Sequence, residues 1–287
     1  MSKIKILFFS ALLIIAIVLS WLNIRYKLIA FQINGDNDNN DNRQFRVLTW
    51  NICGSSIKDK ERQEKIARLI IEQNADFVQL NEFGINYFKV IDSIMNVCYP
   101  YKEYIGAQVQ AGDVLYSKIP LVESKLFDAK IPQIICVKTC YEKDSLCLVG
   151  CHLSGNNREG KIEIDDADSL SKVKTFWRYY RNAQEKRKEH VHFLKNAVQE
   201  SFLPMIVMGD MNDFNHSAPM DSLGDAGMKN AWWEGGFGYG ATYHDGWISL
   251  RIDHIYYNNR LCLKNVKLVE TDLSDHNILI ADFAFNN

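Results

Sequence analysis

A layered α/β sandwich is the fold class this sequence predicts, and three observations predict it. Beyond residue 44, short apolar runs alternate with longer stretches whose apolar residues recur at every third or fourth position; the strands are many and short; and no internal repeat divides them. The chain has 287 residues, 47% of them hydrophobic, enough for one large core or two modest ones.

The elements follow in order. Ile6 to Ile24 is almost wholly apolar, with Lys3 and Lys5 before it and Arg25 and Lys27 after it. As a helix it reaches roughly 28 Å at about 1.5 Å per residue, just enough for a bilayer core. A cleaved signal peptide competes, since the charged start suits it equally. No Ala-x-Ala site follows and Ser20-Trp21 is a poor cleavage junction, so a single-pass anchor over 1–27 is the favoured reading. Two basic residues lie on each side of it, and orientation is barely specified. Residues 28–44 carry the polar run Asn34-Gly35-Asp36-Asn37-Asp38-Asn39-Asn40-Asp41-Asn42, the composition of a flexible tether, which leaves 45–287 as the catalytic domain.

Within that domain Phe45 to Ile52 reads as a strand. Lys58 to Gln73, with Ile66, Leu69 and Ile70 on one face, reads as a helix, and Asp76 to Leu80 is a second strand running into Asn81-Glu82. Asn86 to Met95 is helical, and short strands fall around Tyr101, Val114 and Val122. Gln133 to Tyr141 and Ser145 to Leu153 form a hairpin about Lys143-Asp144. That register sets Cys140 opposite Cys147 and Cys136 opposite Cys151, within disulfide reach. Such pairing favours an oxidising compartment and hence a domain on the extracytoplasmic side; four small thiols packed on one sheet face is the equal alternative. Seven cysteines are an odd number, so at least one thiol stays free in either case. A long helix runs from about Ser171 to Glu200, and strands at 205–210, 251–257, 263–269 and 278–284 close the chain.

Strand ends carry the chemistry. Met205-Ile206-Val207-Met208 runs into Gly209-Asp210-Met211-Asn212, a carboxylate and a carboxamide at one exit. Alone this is as ordinary as an Asx-turn. Asn51, Glu82, His152, Asp253 and the Asp275-His276 pair stand at other exits. Their oxygens suit a hard cation such as Mg²⁺ or Mn²⁺. Zinc is disfavoured, since no His/Cys cluster has the spacing of a closed site. Two histidines beside these oxygens can move protons or stabilise phosphoryl charge, so phosphoester hydrolysis is the chemistry that uses every group.

The ordered series Thr49-Trp50-Asn51, Gln79-Leu80-Asn81-Glu82, Gly112-Asp113-Val114-Leu115-Tyr116-Ser117, Gly150-Cys151-His152-Leu153, Gly209-Asp210-Met211-Asn212, Arg251-Ile252-Asp253-His254 and Ser274-Asp275-His276 resembles the endonuclease/exonuclease/phosphatase superfamily, with the deoxyribonuclease I-like fold. The likeness covers about 45–285. It implies a four-layered α/β sandwich, which the transmembrane helix read from the apolar run would precede, and one phosphoesterase site using one or two Mg²⁺ or Mn²⁺ ions. Asn81 departs from the family's glutamine, another neutral amide.

The resemblance implies roles residue by residue. Asn51 and Glu82 would hold the metal, with Asp275 a further ligand, directly or through water. Asp210 would activate or orient the attacking water, or assist the leaving oxygen. Asn212 and His152 would hydrogen-bond phosphoryl oxygens, His276 would be base or charge stabiliser, and Asp253 would orient a histidine. Arg181, three residues before Gln184, and Thr242 fall where relatives contact substrate. Lys186-Arg187-Lys188 reads as solvent-facing charge. His254, next to Asp253, points to the opposite sheet face, and Trp232-Trp233 reads as core packing, with a substrate platform the alternative.

The expected partner is a phosphoester: nucleic acid, lipid head group or small phosphoester, with the membrane reached through the N-terminal helix and no obligate protein partner implied. A duplex nuclease wants a basic footprint, whereas this chain has net charge −2 and an acidic insert at Glu163 to Asp168. A nuclease-type hydrolase is slightly favoured over a sphingomyelinase-like lipid or sugar/inositol phosphoesterase. A binding module on the same fold is the non-enzyme reading; loss of catalytic groups would signal it, and none is missing.

Overall fold

A computed structural model describes residues 9–18, 31–32, 44–57, 59–106, 111–128, 133–155, 169–200, 202–245 and 248–286. Two six-stranded mixed sheets stack face to face. One has the order β15-β16-β2-β3-β5-β4 and the other β10-β14-β9-β8-β7-β6. The strands of the first are β2 (Gln44–Asn51), β3 (Phe77–Asn81), β4 (Tyr101–Ile105), β5 (Asp113–Ser117), β15 (Leu261–Val269) and β16 (Ile278–Phe285). Those of the second are β6 (Leu121–Asp128), β7 (Gln133–Tyr141), β8 (Asp144–His152), β9 (Met205–Asp210), β10 (Met228–Asn230) and β14 (Asp253–Asn258).

Each sheet has one parallel pair at its middle, β2 with β3 and β8 with β9. A parallel pair needs a crossover, and here each crossover contains a helix: α2 (Lys60–Glu72) in the first and α4 (Ser169–Glu200) in the second. Asp59 caps α2 by accepting from Arg62 N at 2.7 Å. Ile66, Ala67 and Ile70 form its buried stripe, each isoleucine contributing about 1.5–3 kcal/mol of burial.

Three apolar layers hold four structural ones. Phe45, Val47, Phe77 and Leu115 of the first sheet meet Ile135, Leu148, Met208 and Ile255 of the second between the sheets. The outer face of the first sheet, with Leu48 and Trp50, packs on α2 and on α3 (Lys89–Cys98) through Ile66, Ile70, Ile91 and Met95. The outer face of the second, with Cys147, Val149 and Val207, packs on α4 and on α5 (Ala218–Asp225) through Val191, Leu194, Met220 and Leu223. The result is the α/β/β/α sandwich expected of this chain.

Some expectations change. The hairpin turns on Glu142-Lys143, not Lys143-Asp144, because Tyr141 pairs with Asp144 and Glu142 takes the left-handed φ of 56° that such a tight turn needs. Cys136 therefore faces Val149, Cys140 faces Ser145 and Cys151 faces Ile134, so neither expected pair forms. The cysteines that meet are diagonal neighbours, Cys136 and Cys147, with Sγ atoms 3.8 Å apart.

At the N-terminus the described helix is α1, 9–18, and among the described residues no helix is long and apolar enough to cross a membrane. The remainder of the apolar run, the polar run 34–42 and the acidic insert lie outside the described residues. Within the stretch read as a tether, β1 (Phe31–Gln32) pairs with β11 (Gly236–Phe237).

Candidate active site

The two-residue period of the strands decides what reaches the site. On β2 the residues facing the other sheet are Phe45 and Val47, and Asn51 continues that row at the exit. Ile206 and Met208 face inward on β9, so Asp210 does too; Ile255 and Tyr257 do so on β14, and Asp253 with them. Register then brings them together. Asp253 pairs with Asp210, His152 at the end of β8 lies beside Asp210, and Asn51 lies beside Asn81. Gly209 permits the close approach: its φ is 146°, and a Cβ there would lie 1.8 Å from the Cys151 carbonyl oxygen.

Asp210 is the centre. Its Oδ2 accepts from Asn51 Nδ2 at 3.0 Å and its Oδ1 from the Asn212 backbone N–H at 2.8 Å, while its own N–H donates to Asn81 Oδ1 at 2.9 Å. Two imidazoles converge on the same Oδ2, His152 through Nε2 at 3.8 Å and His276 through Nε2 at 4.0 Å. Behind each stands another carboxylate. His276 Nδ1 lies 2.8 Å from Asp253 Oδ2, and His152 Nδ1 lies 3.6 Å from Asp113 Oδ1. The outer contacts turn the Nε2 atoms toward Asp210.

Electrostatics separate the groups. Burial, and then the Asp253 carboxylate, raise the Asp210 pKa above the usual carboxylate range. For His276 burial alone would favour the neutral ring, but Asp253, Asp210 and Asp275 outweigh it and hold the pKa up at about 10. The site therefore pairs an acid made more basic with an imidazole kept as a cation.

A second group of oxygens adjoins the first. Asn51 Nδ2 lies 3.4 Å from Glu82 Oε1, Asp275 Oδ1 is 4.0 Å from His276 Nε2, and Ser274 Oγ donates to the Asn51 carbonyl at 2.7 Å, tying the 274–276 turn to the exit of β2. Glu82 adopts a left-handed φ of 59°, held by its N–H donating to Asp113 Oδ1 at 3.2 Å. Glu82 and Asp275 are only partly buried, and both raise the Cys53 pKa after burial has done so, which sets them on one side of the site. The Glu82 and Asp275 carboxylates offer oxygens of the kind a hard divalent cation takes, while Asn51 turns Nδ2 to this side and its Oδ1 accepts from the Cys53 N–H at 2.9 Å. Donor atoms of Asp210, Asp253 and His276 also lie within 4.8 Å of one another.

Other expected residues land differently. Asn212, at a left-handed φ of 52°, is held by Nδ2 donating to the Leu153 carbonyl at 3.0 Å. Thr242 is fully buried, and its Oγ1 accepts from Ile252 N and Asp253 N at 3.1 and 3.0 Å, so it meets the site through Asp253 and offers no face to substrate. Arg181 sits on the exposed face of α4. The arginine that α4 drives inward is Arg187, which the charge run concealed: it is 0% exposed, with NH1 3.0 Å from Asp213 Oδ2 in an ionic contact rather than an aligned hydrogen bond. Tyr180 Oη donates to Asp213 Oδ1 at 2.8 Å, so two α4 side chains grip the loop that carries Asp210 and Asn212. As its register requires, His254 faces away from the site, with Nε2–H donating to the Asp213 carbonyl at 2.9 Å and Nδ1 accepting from Asn230 at 3.2 Å.

Asp113 is the residue the sequence reading passed over. It is fully buried and joins Asn81, Glu82 and His152; the signal was a carboxylate directly after Gly112 at the head of a strand.

The endonuclease/exonuclease/phosphatase family model matches residues 48–276, which include every strand exit described above. The chain belongs to this family. Members of the endonuclease/exonuclease/phosphatase family are metal-dependent phosphoester hydrolases, and a phosphodiesterase or nuclease-type hydrolase is the coarse activity that follows. No curated protein matches the chain by sequence.

Solved structures of the family share its fold. The human Nocturnin catalytic domain with bound sulfate anion superposes with a TM-score of 0.63 at 18% identity, covering 91% of this chain and 98% of that one. D. rerio TDP2 complexed with single strand DNA product gives 0.63 at 14% identity, over 84% and 99%. An endonuclease/exonuclease/phosphatase protein from Bacteroides vulgatus gives 0.62 at 17% identity, over 85% and 99%.

Proposed function

We propose that this chain is a Mg²⁺- or Mn²⁺-dependent phosphodiesterase of the nuclease type, acting by attack of an activated water. The observation that carries the reading is the convergence of His152 and His276 on Asp210 Oδ2, each histidine backed by its own carboxylate. Asp210, made more basic by burial and by Asp253, accepts the proton of the attacking water. The water oxygen bonds to phosphorus as the bond to the leaving oxygen breaks. His276, protonated and held by Asp253, stabilises the charge on the phosphoryl oxygens and supplies a proton for the leaving oxygen, while His152 and Asn212 hydrogen-bond the remaining oxygens.

Asn51, Glu82 and Asp275 would hold the cation, whose part is Lewis-acid neutralisation of phosphate charge. The Asp210, Asp253 and His276 donors are assigned to proton transfer instead, because His276 Nδ1 is already committed to Asp253 at 2.8 Å.

The nuclease reading over a phosphatase draws support from the DNA product in the TDP2 neighbour, at the level of a shared fold. On the same reading the apolar run Ile6 to Ile24 tethers the enzyme, so the full chain should sediment with membranes and a 44–287 fragment should not. The test of function is a panel of single-stranded DNA, RNA, plasmid DNA, sphingomyelin and bis-p-nitrophenyl phosphate with Mg²⁺ or Mn²⁺. Cleavage of nucleic acid is expected; turnover of sphingomyelin alone would move the assignment to a lipid phosphodiesterase, and no turnover of any member would favour a binding module.

A further inference from the structure

The Trp232-Trp233 pair splits on folding. Trp232 is 4% exposed, and its indole N–H donates to the Gly238 carbonyl at 3.1 Å. Trp233 is 55% exposed. An exposed tryptophan usually tumbles, but this one is built in on two sides. The Arg251 guanidinium carbon lies 5.2 Å from its ring centroid, and the His216 ring lies 5.4 Å away at an interplanar angle of 43°.

The supports are specific. Asn230 Oδ1 accepts from the Trp233 backbone N–H at 3.4 Å and from Arg251 NH1 at 3.3 Å, tying the Trp233 backbone and the guanidinium to one anchor. Arg251 is 5% exposed; burial pushes its pKa down to about 10, which still leaves it charged at neutral pH. His216 takes a left-handed φ of 64°, a conformation few side chains adopt, and its Nδ1 lies 3.4 Å from Asp221 Oδ1.

The cluster adjoins the reaction. Arg251 is two residues from Asp253, about 7 Å of extended backbone. The Met211 N–H donates to the Ile252 carbonyl at 2.9 Å, so the exit of β9 and the segment entering β14 run side by side to this point, and His216 closes the same loop that carries Asp210 and Asn212.

We infer that Trp233, backed by Arg251 and flanked by His216, is a stacking platform for a nucleobase of a single-stranded nucleic acid whose phosphate occupies the site at Asp210. The inference rests on the phosphodiesterase reading above and narrows its substrate class. A choline head group also seeks aromatic faces, but it does so as a cation, and here one face of the indole is already occupied by a guanidinium. A neutral π-face joined to an anionic backbone is the ligand this charge pattern suits.

The full chain is tested in metal-free buffer by fluorescence anisotropy. The probes are a labelled oligothymidylate and an oligomer of equal length carrying tetrahydrofuran spacers instead of bases. Trp233→Ala should weaken oligothymidylate binding about 5-fold or more, leave the baseless oligomer unchanged, and be rescued by Trp233→Phe. Equal loss for both oligomers, no loss for either, or Trp233-dependent binding to phosphatidylcholine vesicles in place of the oligomer overturns the platform. Base-dependent binding that persists in a wild-type chain unable to cleave nucleic acid with Mg²⁺ or Mn²⁺ upholds the platform and overturns the nuclease reading instead.

Discussion

Asp253 Oδ2, on the first residue of β14 in one sheet, and His276 Nδ1, in the turn that precedes β16 of the other, lie 2.8 Å apart, and both residues are buried. The contact fixes which ring nitrogen is free to face Asp210. Asp253→Ala should lower turnover of a phosphodiester about 10²- to 10⁴-fold while circular dichroism stays native. A smaller fall would mean that His276 is oriented by something else.

Arg187 and Asp213, both 0% exposed, form a pair whose separation is costlier than its loss. Arg187→Ala leaves the Asp213 carboxylate buried without this cation, held by donation from Tyr180 Oη and the Phe214 N–H, and should destabilise the domain by about 3–5 kcal/mol in urea unfolding. Arg187→Met with Asp213→Leu should cost less than Arg187→Ala alone. Arg181→Ala, on the exposed side of the same helix, should fall within about 0.5 kcal/mol of wild type.

Acid should weaken the fold through His254. Burial, then the Arg251 charge, depress its pKa from the ordinary 6.5 to about 3, so the folded chain holds it neutral while the unfolded chain binds a proton below 6.5. The unfolded state thus carries more protons between these limits, and stability falls as pH drops from 6.5 toward 3. The Tm measured across that window should decline, and His254→Gln should flatten the slope; an unchanged slope would show that other groups set it.

Thiol exchange should select one cysteine pair. Cys136 and Cys147 approach to 3.8 Å, and hydrogen bonding from Cys147, with the Lys125 and Lys138 charges, draws the Cys136 pKa down to about 7 against the opposing effect of burial. Its thiolate attacks glutathione disulfide and releases glutathione; Cys147 then displaces the second glutathione. Diagonal neighbours sit about 7–8 Å apart at Cα, wider than a relaxed bridge, so the bond should be readily reduced. Peptide mapping after oxidation should recover Cys136 joined to Cys147; a Cys140–Cys147 or Cys136–Cys151 peptide would contradict the register seen here.

The legible part of this molecule was the part governed by period. Asn51 and Asp210 end strands and Asp253 opens one, each strand with apolar residues at alternate positions, and parity alone sends all three to the same cleft. Hairpin register was not legible, because the choice between Glu142-Lys143 and Lys143-Asp144 rests on a left-handed glutamate that sequence does not announce. Nor was Arg187, since a charged triplet on an amphipathic helix gives no sign of which member meets a buried acid at Asp213. Thr242 looked like a substrate contact from its place in the chain, and its burial follows from capping the start of β14.

The central claim is that Asp210 and His276 form one catalytic unit around a water and a phosphodiester. The most direct measurement is hydrolysis of a single-stranded oligonucleotide by the full chain in Mg²⁺ or Mn²⁺, compared for wild type, Asp210→Asn, His276→Ala and the double variant. Each single change should lower turnover by about 10³-fold or more, and the double should fall little further, as expected for residues that act together. Near-normal turnover in folded Asp210→Asn, or losses that multiply in the double variant, would contradict the assignment.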